Sequence, residues 1–405
     1  TRSCDDAPEH EVVYVNECLS EETVPRYEKC AVAGLKLKSS DNFAQLDQIR
    51  CYIQRGIEVE RLIDSDVDCS NLLTDLLWYF VTNTDTGIGT IINPALVDSE
   101  ELTATGRYLR ANKLFFDDAI AEPVNLRSWL ARVAPSVLCY TTIKNGKLSI
   151  EPALPYHADG VIDTTQPVPI AGMFTDGNII EDSFEVDWLE LEDRKLFQAA
   201  ILFRESRVNE FPSQRTVVVR YKTDDRYTLP IEEFEFTHIT NIEHALKTAR
   251  YFLSVRKHQT HTVTFRTLPW GLSLAPGQYI RVASEISPYN PANNGIVKAD
   301  GTVIAAQPLS NGSYNVYYWN KDSENVSEGT MTVTDGGTSE FRDTVFSVKG
   351  NNQTSQVYQI ESLDVDQDGI VTITASNYPV DSSGRSVIAR EVLNVNDDFE
   401  TVGGQ

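Results

Sequence analysis

The spacing of apolar positions changes several times along the chain, and each change marks an expected element. Residues 11–15, EVVYV, form a β-branched and aromatic run of the kind a buried strand makes. In IRCYIQRGIEVERL, Ile49, Cys51 and Ile53 repeat every second residue, Gln54-Arg55-Gly56 offers a turn, and Ile57 and Val59 follow, which predicts a hairpin. After Asp68-Cys69-Ser70 the spacing switches to Leu72, Leu73, Leu76, Leu77 and Phe80, one face of a helix with Ser70 as its expected N-cap. A second helix is expected where Asp98-x-x-Glu101 makes a capping-box-like start ahead of Leu102, Tyr108 and Leu109. A third carries Leu126, Trp129, Leu130 and Val133 on one face and stops at Pro135.

SVLCYTTIKNGKLSI then holds two β-rich runs around Asn145-Gly146, a dipeptide that tolerates the positive φ angles of a type I′ turn. PALP, Pro152 to Pro155, marks a boundary. Strands are expected at AAILF (Ala199 to Phe203) and TVVVRY (Thr216 to Tyr221). Thr240-x-x-Glu243 opens a further helix with Ile242, Ala245, Leu246, Ala249, Phe252 and Leu253 on its buried stripe, and HTVTFRT follows as a strand. From Leu268 onward the pattern shows no helix. Short strands alternate with turns at Pro276-Gly277, Asp300-Gly301, Asn311-Gly312 and Asp368-Gly369, which predicts an antiparallel barrel or sandwich. NVNDDFETVGGQ reads as a frayed end or a linker. The fold class expected is therefore α+β and multidomain. Its segments are an N-terminal β element (1–65), an α/β domain (66–155), a second α/β segment (156–268), a β-barrel domain (269–385) and a tail (386–405).

Length supports that division, since 405 residues exceed what one hydrophobic core usually carries. Charge narrows function. With 59 acidic against 35 basic residues and a net charge of −24, gripping nucleic acid or an anionic membrane by neutralising phosphates is disfavoured, and DNA should slide past rather than stick. No stretch approaches the 18 or so apolar residues of a membrane-spanning helix, and no basic-then-apolar leader is present. The chain begins at Thr1 without Met, compatible with a processed or trimmed start. Cys4, Cys18, Cys30, Cys51, Cys69 and Cys139 all lie in the first third without C-x-x-C spacing, which argues against a zinc ribbon. Disulfides, an iron–sulfur cluster and buried thiols stay open; a reducing environment with buried free thiols is the preferred reading.

Candidate chemistry is sparse. DVDQDGIVTI places Asp364, Asp366, Asp368 and Gly369 as a calcium loop begins, but the twelfth position, where an EF-hand needs a bidentate glutamate, is Ala375. Alternating β-rich runs flank it, so a hairpin turning at Asp368-Gly369 is expected instead. His258 and His261 are three apart, with His238 and His244 nearby, but no H-E-x-x-H occurs, and solvated or core histidines are expected. Neither G-x-S-x-G nor a phosphate-cradling glycine motif occurs, and Glu181-Asp182 reads as a solvated face. A glycan hydrolase with two carboxylates converging in a cleft, or a calcium-dependent adhesion module, are the alternatives to a structural role. No catalytic, cofactor-binding or metal-binding residue is assigned.

Several segments resemble, in the same order, the tip attachment protein J family of lambda-like phages. YQIESLDVDQDGIVTITASNYP (Tyr358 to Pro379) is similar to its C-terminal hub hairpin, and SNLLTDLLWYFVTNTDTGIG (Ser70 to Gly89) to a helix ending in a glycine-rich loop. NLRSWLARVAPSVLCYTTIKNGKLSI (Asn125 to Ile150) resembles its helix plus N-G hairpin, and SFEVDWLELEDRKLFQAAILF (Ser183 to Phe203) its next strand pair. The stretch from His238 to Val282 is similar to its helix, strand and "GL…PG" strand entry. The resemblance spans about residues 10 to 385; the cysteine-bearing N-terminal segment and SPYNPANNG (Ser287 to Gly295) depart from it, and the long fibronectin-like and receptor-binding extensions have no counterpart. It implies a non-enzymatic virion protein at the tail tip, assembled in the host cytoplasm. That protein is a homotrimeric hub of β-barrel and α/β domains that closes the tail tube and opens for DNA ejection. The implied partners are the distal tail protein, the tape measure protein and tail fibre or receptor-binding proteins, with no cofactor.

Overall fold

The computed structural model describes residues 56–84, 87–120, 124–144, 146–206, 212–220, 229–286, 293–334, 336–350, 355–394 and 399–403. The chain divides into residues 1–57 and 58–405, and the elements below belong to the second unit. The expected strand at 11–15 and the arm carrying Ile49, Cys51 and Ile53 lie outside the described residues. Val59 sits in β1 (Glu58–Glu60), which pairs antiparallel with β2 (Val67–Cys69).

Three helices follow: α1 (Leu73–Thr82), α2 (Ser99–Asn112) and α3 (Leu126–Val133). Ser70 is not the cap of α1, whose N-cap is Leu72 with no side-chain bond. The Ser70 hydroxyl is drawn off by buried Asp75, to which it donates at 2.6 Å, while accepting from the Leu72 amide. Asp98 caps α2 as expected, accepting from the Glu101 amide at 3.2 Å. α3 ends at Val133, and Pro135 sits in a single 3₁₀ turn, Ala134–Val137, where its missing N–H is not needed. β3 (Cys139–Lys144) and β4 (Lys147–Pro152) form the Asn-Gly hairpin, with Lys144 opposite Lys147 and Gly146 at φ 76°.

The next elements are β5 (Ile170–Thr175), β6 (Glu185–Trp188), β7 (Gln198–Glu205), β8 (Ser213–Val219), β9 (Ile231–Glu235), α4 (Ile242–His258) and β10 (His261–Thr267). Thr240 does not cap α4. Asn241 does, accepting from the Glu243 amide at 2.7 Å, because the Thr240 hydroxyl is taken by Asp117. The chain continues through β11 (Tyr279–Ala283), β12 (Asn294–Val297), β13 (Val303–Ala305), β14 (Gly312–Asn320), β15 (Asn325–Val333), β16 (Thr344–Val348), β17 (Gln356–Val365) and β18 (Val371–Asn377). Two elements overturn the sequence reading of the C-terminal part. A helix, α5 (Val387–Val392), is capped by Ser386, and β19 (Phe399–Gly403) is no frayed end but pairs antiparallel with β8.

The strands make a six-stranded sheet (β5-β11-β17-β18-β10-β6), a five-stranded sheet (β13-β12-β16-β14-β15) and a four-stranded sheet (β19-β8-β7-β9). The six-stranded sheet joins strands from both sides of residue 268. Pairing is antiparallel except for β5 with β11 and β7 with β9. Among the described residues no sheet closes into the expected barrel: closure requires the first and last strands to bond, and each sheet has two unpaired ends.

Apolar burial holds these layers together. Leu73, Leu77, Leu102, Leu109 and Val137 pack with Ile388 and Val392 of α5 and with Tyr279, Val357 and Tyr378 on one face of the six-stranded sheet. Each fully buried leucine contributes on the order of 2–3 kcal/mol. Phe174, Phe265, Ile280 and Ile373 fill the other face of that sheet. The α4 stripe, Ala245, Leu246, Ala249 and Leu253, covers Ala199, Ile201, Val217 and Val219. Val316, Met331 and Phe346 centre the five-stranded sheet.

Candidate functional site

One buried polar cluster joins the 3₁₀ turn after α3 to α4. The His238 Nε2 lies 2.6 Å from Ser136 Oγ. A nucleophilic serine with its base would show the same separation, but the proton is on the wrong partner. Ser136 donates its hydroxyl hydrogen to Val133 O at 2.6 Å, so the imidazole must donate Nε2–H to the serine. Ser136 is also fully buried, which leaves no surface for a substrate. The Ser136 carbonyl accepts from His244 Nε2 and from Thr248 Oγ1, each at 2.8 Å. Phe116 stacks on His238 with ring centroids 5.0 Å apart. Burial, with Arg132 adding to it against the pull of Asp118, lowers the His238 pKa to about 4. Burial likewise lowers that of His244 to about 3. Both rings are neutral core donors, and the cluster fastens two layers.

A carboxylate pair is the second cluster. Tyr140 donates to Glu151 Oε2 at 3.1 Å, and Glu151 Oε1 is buried without a hydrogen-bond partner. Burial raises the pKa of Glu151, and the neighbouring Glu101 raises it further against the opposing pull of Lys144. Glu101 is raised by burial as well. Raised carboxyls are what acid–base hydrolysis of glycans employs, but that chemistry needs a cleft between the groups. Glu151 is only 9% exposed, and its unpartnered oxygen is enclosed. The Tyr140 ring lies over the turn at Gly277, so this cluster also fastens the β3–β4 hairpin to the six-stranded sheet.

The acidic stretch Asp364–Gly369 closes the β17–β18 hairpin, with Val365 opposite Val371 and Gly369 at φ 78°. The exposed Asp366 carboxylate is already bonded to the protein's own donors. Its Oδ1 accepts from the amides of Asp368 (3.0 Å) and Ile370 (2.8 Å), and its Oδ2 accepts from Arg266 at 3.1 Å. Ala375 is buried opposite Ile360. Among the described residues no group of three or more His, Cys, Asp or Glu side chains could hold a metal ion.

His258 and His261 are not brought together. His258 shares Glu391 with Ser254 and Lys257, whereas buried His261 contacts Thr260 and the Tyr358 hydroxyl. Burial alone would raise Glu391, but bonds from His258, Ser254 and Lys257 outweigh it and lower its pKa to about 2. Glu181 and Asp182 are exposed. Cys139 is buried, its thiol pushed up by burial, and Cys69 is half-buried. Cys4, Cys18, Cys30 and Cys51 lie outside the described residues. No described helix is long and apolar enough to cross a membrane. The open space beside these elements is modest: a cavity of about 150 Å³ beside Ile143 and Leu272, and one of about 240 Å³ beside Phe234 and Arg256.

No protein-family profile and no curated protein matches the chain. Among solved structures it is similar to the virion of a native gene transfer agent particle, at 11% identity over 56% of this chain and 36% of that one, with a TM-score of 0.28. It is similar to a tail protein from Neisseria meningitidis at 14% identity, covering 58% and 59% of the two chains, with a TM-score of 0.27. A prophage tail protein from Shewanella oneidensis is similar at 9% identity, covering 64% and 56%, with a TM-score of 0.28. These likenesses are to virion and phage-tail proteins. The chain spans between about a third and three fifths of their length, and scores this low carry no functional argument.

Proposed function

We propose that this chain is a structural subunit of a bacteriophage tail: a homotrimeric central hub at the tail tip that closes the distal end of the tube and forms the path for DNA. The collinear order of the family-like segments carries this reading. Four of the segments fold here as a helix (α1), a helix with an Asn-Gly hairpin (α3, β3, β4), a helix then a strand (α4, β10), and an acidic hairpin (β17, β18), whereas Ser183 to Phe203, expected as a strand pair, gives β6 and β7 in different sheets. β10 pairs with β18 from Thr262 opposite Ser376 to Thr267 opposite Val371, so two of those segments are neighbours in one sheet.

The polar clusters agree with a structural role, since those that resemble chemistry act as fasteners between layers. A net charge of −24 suits a lumen past which DNA must slide. In this reading the sheets left open in one chain complete a ring across three copies, and the distal tail protein, the tape measure protein and fibre or receptor-binding proteins are its neighbours. Electron-microscope class averages of the purified protein, with light scattering for mass, test it. Threefold rings are expected, and a monodisperse monomer at high concentration would overturn the reading.

A further inference from the structure

β9 is the last strand of its sheet, and among the described residues nothing pairs with its outer edge. The parallel ladder to β7 is bracketed by Gln198 N to Pro230 O (2.8 Å) and Phe236 N to Leu202 O (2.9 Å). That alternation turns the N–H and C=O groups of Ile231, Glu233 and Glu235 outward. The side chains of these three residues are exposed on the face away from α4. On the α4 face Glu232 pairs with Arg256 at 3.2 Å, and Phe234 packs against Phe252 with ring centroids 4.9 Å apart. The 240 Å³ cavity opens there, walled by Leu189, Phe197, Phe234, Phe252 and Arg256.

We propose that β9 is a docking edge for an extended segment of a partner protein that alternates basic and apolar residues. The outward amides and carbonyls would supply a new ladder, as in strand addition to a sheet edge. Every second side chain of the added strand would fall on the α4 face, where the cavity takes an apolar group. The intervening side chains would lie beside Glu233 and Glu235, which have no ion-pair partner among the described residues. That acidity selects the occupant: a second copy of this edge would set glutamates against glutamates, and the other end strands of the three larger sheets, β5, β6, β13, β15 and β19, carry no lysine or arginine to offer it, whereas a basic partner strand is attracted.

The test uses fluorescence anisotropy with the full chain and labelled synthetic peptides. Alternating lysine–valine should bind at least about tenfold more tightly than alternating lysine–glycine of equal charge, and alternating glutamate–valine should not bind. Glu233→Pro removes one outward N–H and leaves the β7 ladder intact, so it should weaken lysine–valine binding about tenfold or more. The Glu233→Lys, Glu235→Lys double variant should do the same with an unchanged unfolding midpoint. Equal binding of the two basic peptides, or an affinity untouched by the double variant, would overturn the proposal.

Discussion

Acid should loosen the Ser136 junction, and the size of the effect follows from two pKa values. An unfolded histidine titrates near about 6.5. In the fold His238 titrates at about 4 and His244 at about 3. Between those values the unfolded chain binds protons that the folded chain refuses, so stability falls as pH drops below about 6.5 and the loss levels off only near the folded values. At pH 5 each histidine is about 1.5 units below its unfolded pKa, and a unit corresponds to about 1.4 kcal/mol. The pair therefore removes about 4 kcal/mol, a large part of the 5–15 kcal/mol that typically holds a domain.

Other groups titrate in the same range with the opposite sign. The raised carboxyls Glu101 and Glu151 take up protons more readily when folded, which offsets part of the loss. A comparison of variants isolates the histidines. His238→Gln with His244→Gln keeps an amide donor near each Ser136 acceptor but no titratable ring, while the carboxyls stay the same. Urea unfolding of both proteins at pH 7 and pH 5 measures the difference. The double variant should lose about 4 kcal/mol less than the parent between the two pH values. An equal loss in both would refute the assignment of neutral, buried imidazoles.

Glu391→Gln should weaken the tie between α5 and α4 while Ile388 and Val392 keep α5 in the core. Glu391 is partly exposed, so solvent screening reduces the effect of its lowered pKa to about 1–2 kcal/mol, present in full above about pH 4.5 and lost as pH falls toward about 2; thermal melts of parent and variant across that range check it. Gly277→Ala should destabilise by more than about 2 kcal/mol, read from denaturant midpoints, because a Cβ there would lie 1.4 Å from the Tyr140 hydroxyl at a φ of +87°. Asp366→Ala should lower stability by about 1–2 kcal/mol through the loss of two amide bonds and the Arg266 contact. Calcium should leave the parent's melting temperature unchanged, and a rise that saturates with calcium would restore the ligand reading of that loop.

What could be read from the sequence is what short-range chemistry determines. The Asn145-Gly146 and Asp368-Gly369 turns, the Asp98 cap and the α4 stripe each depend on residues within a few positions of one another, and each takes its expected place. The expected caps failed where another side chain competed for the hydroxyl: Ser70 gives its proton to Asp75, five positions on. Thr240 is an adequate N-cap by composition, but Asp117, 123 positions away, accepts its hydroxyl and leaves Asn241 to serve α4. α5 has only six residues and little helical pattern of its own; Glu391, held by Ser254, Lys257 and His258, ties it to α4.

The same distinction governs the candidate sites. Sequence spacing singled out His258–His261 and the Asp364–Asp368 run, whereas the structure groups residues far apart in the chain: Ser136 with His238 and His244, and Glu101 with Glu151, which faces Tyr140 across the Asn-Gly hairpin. Both groupings form where layers meet, and both bury polar atoms that must be satisfied there or shift their protonation. Their positions explain why they look like chemistry without room for it. A seam between an α-helical layer and a sheet requires donors and acceptors with fixed geometry, and a catalytic centre requires that as well as access. Among the described residues the outer edge of β9 is one open sheet end where backbone groups and the carboxylates of Glu233 and Glu235 face solvent together. The strand addition proposed for β9 needs that access and no enclosed pocket.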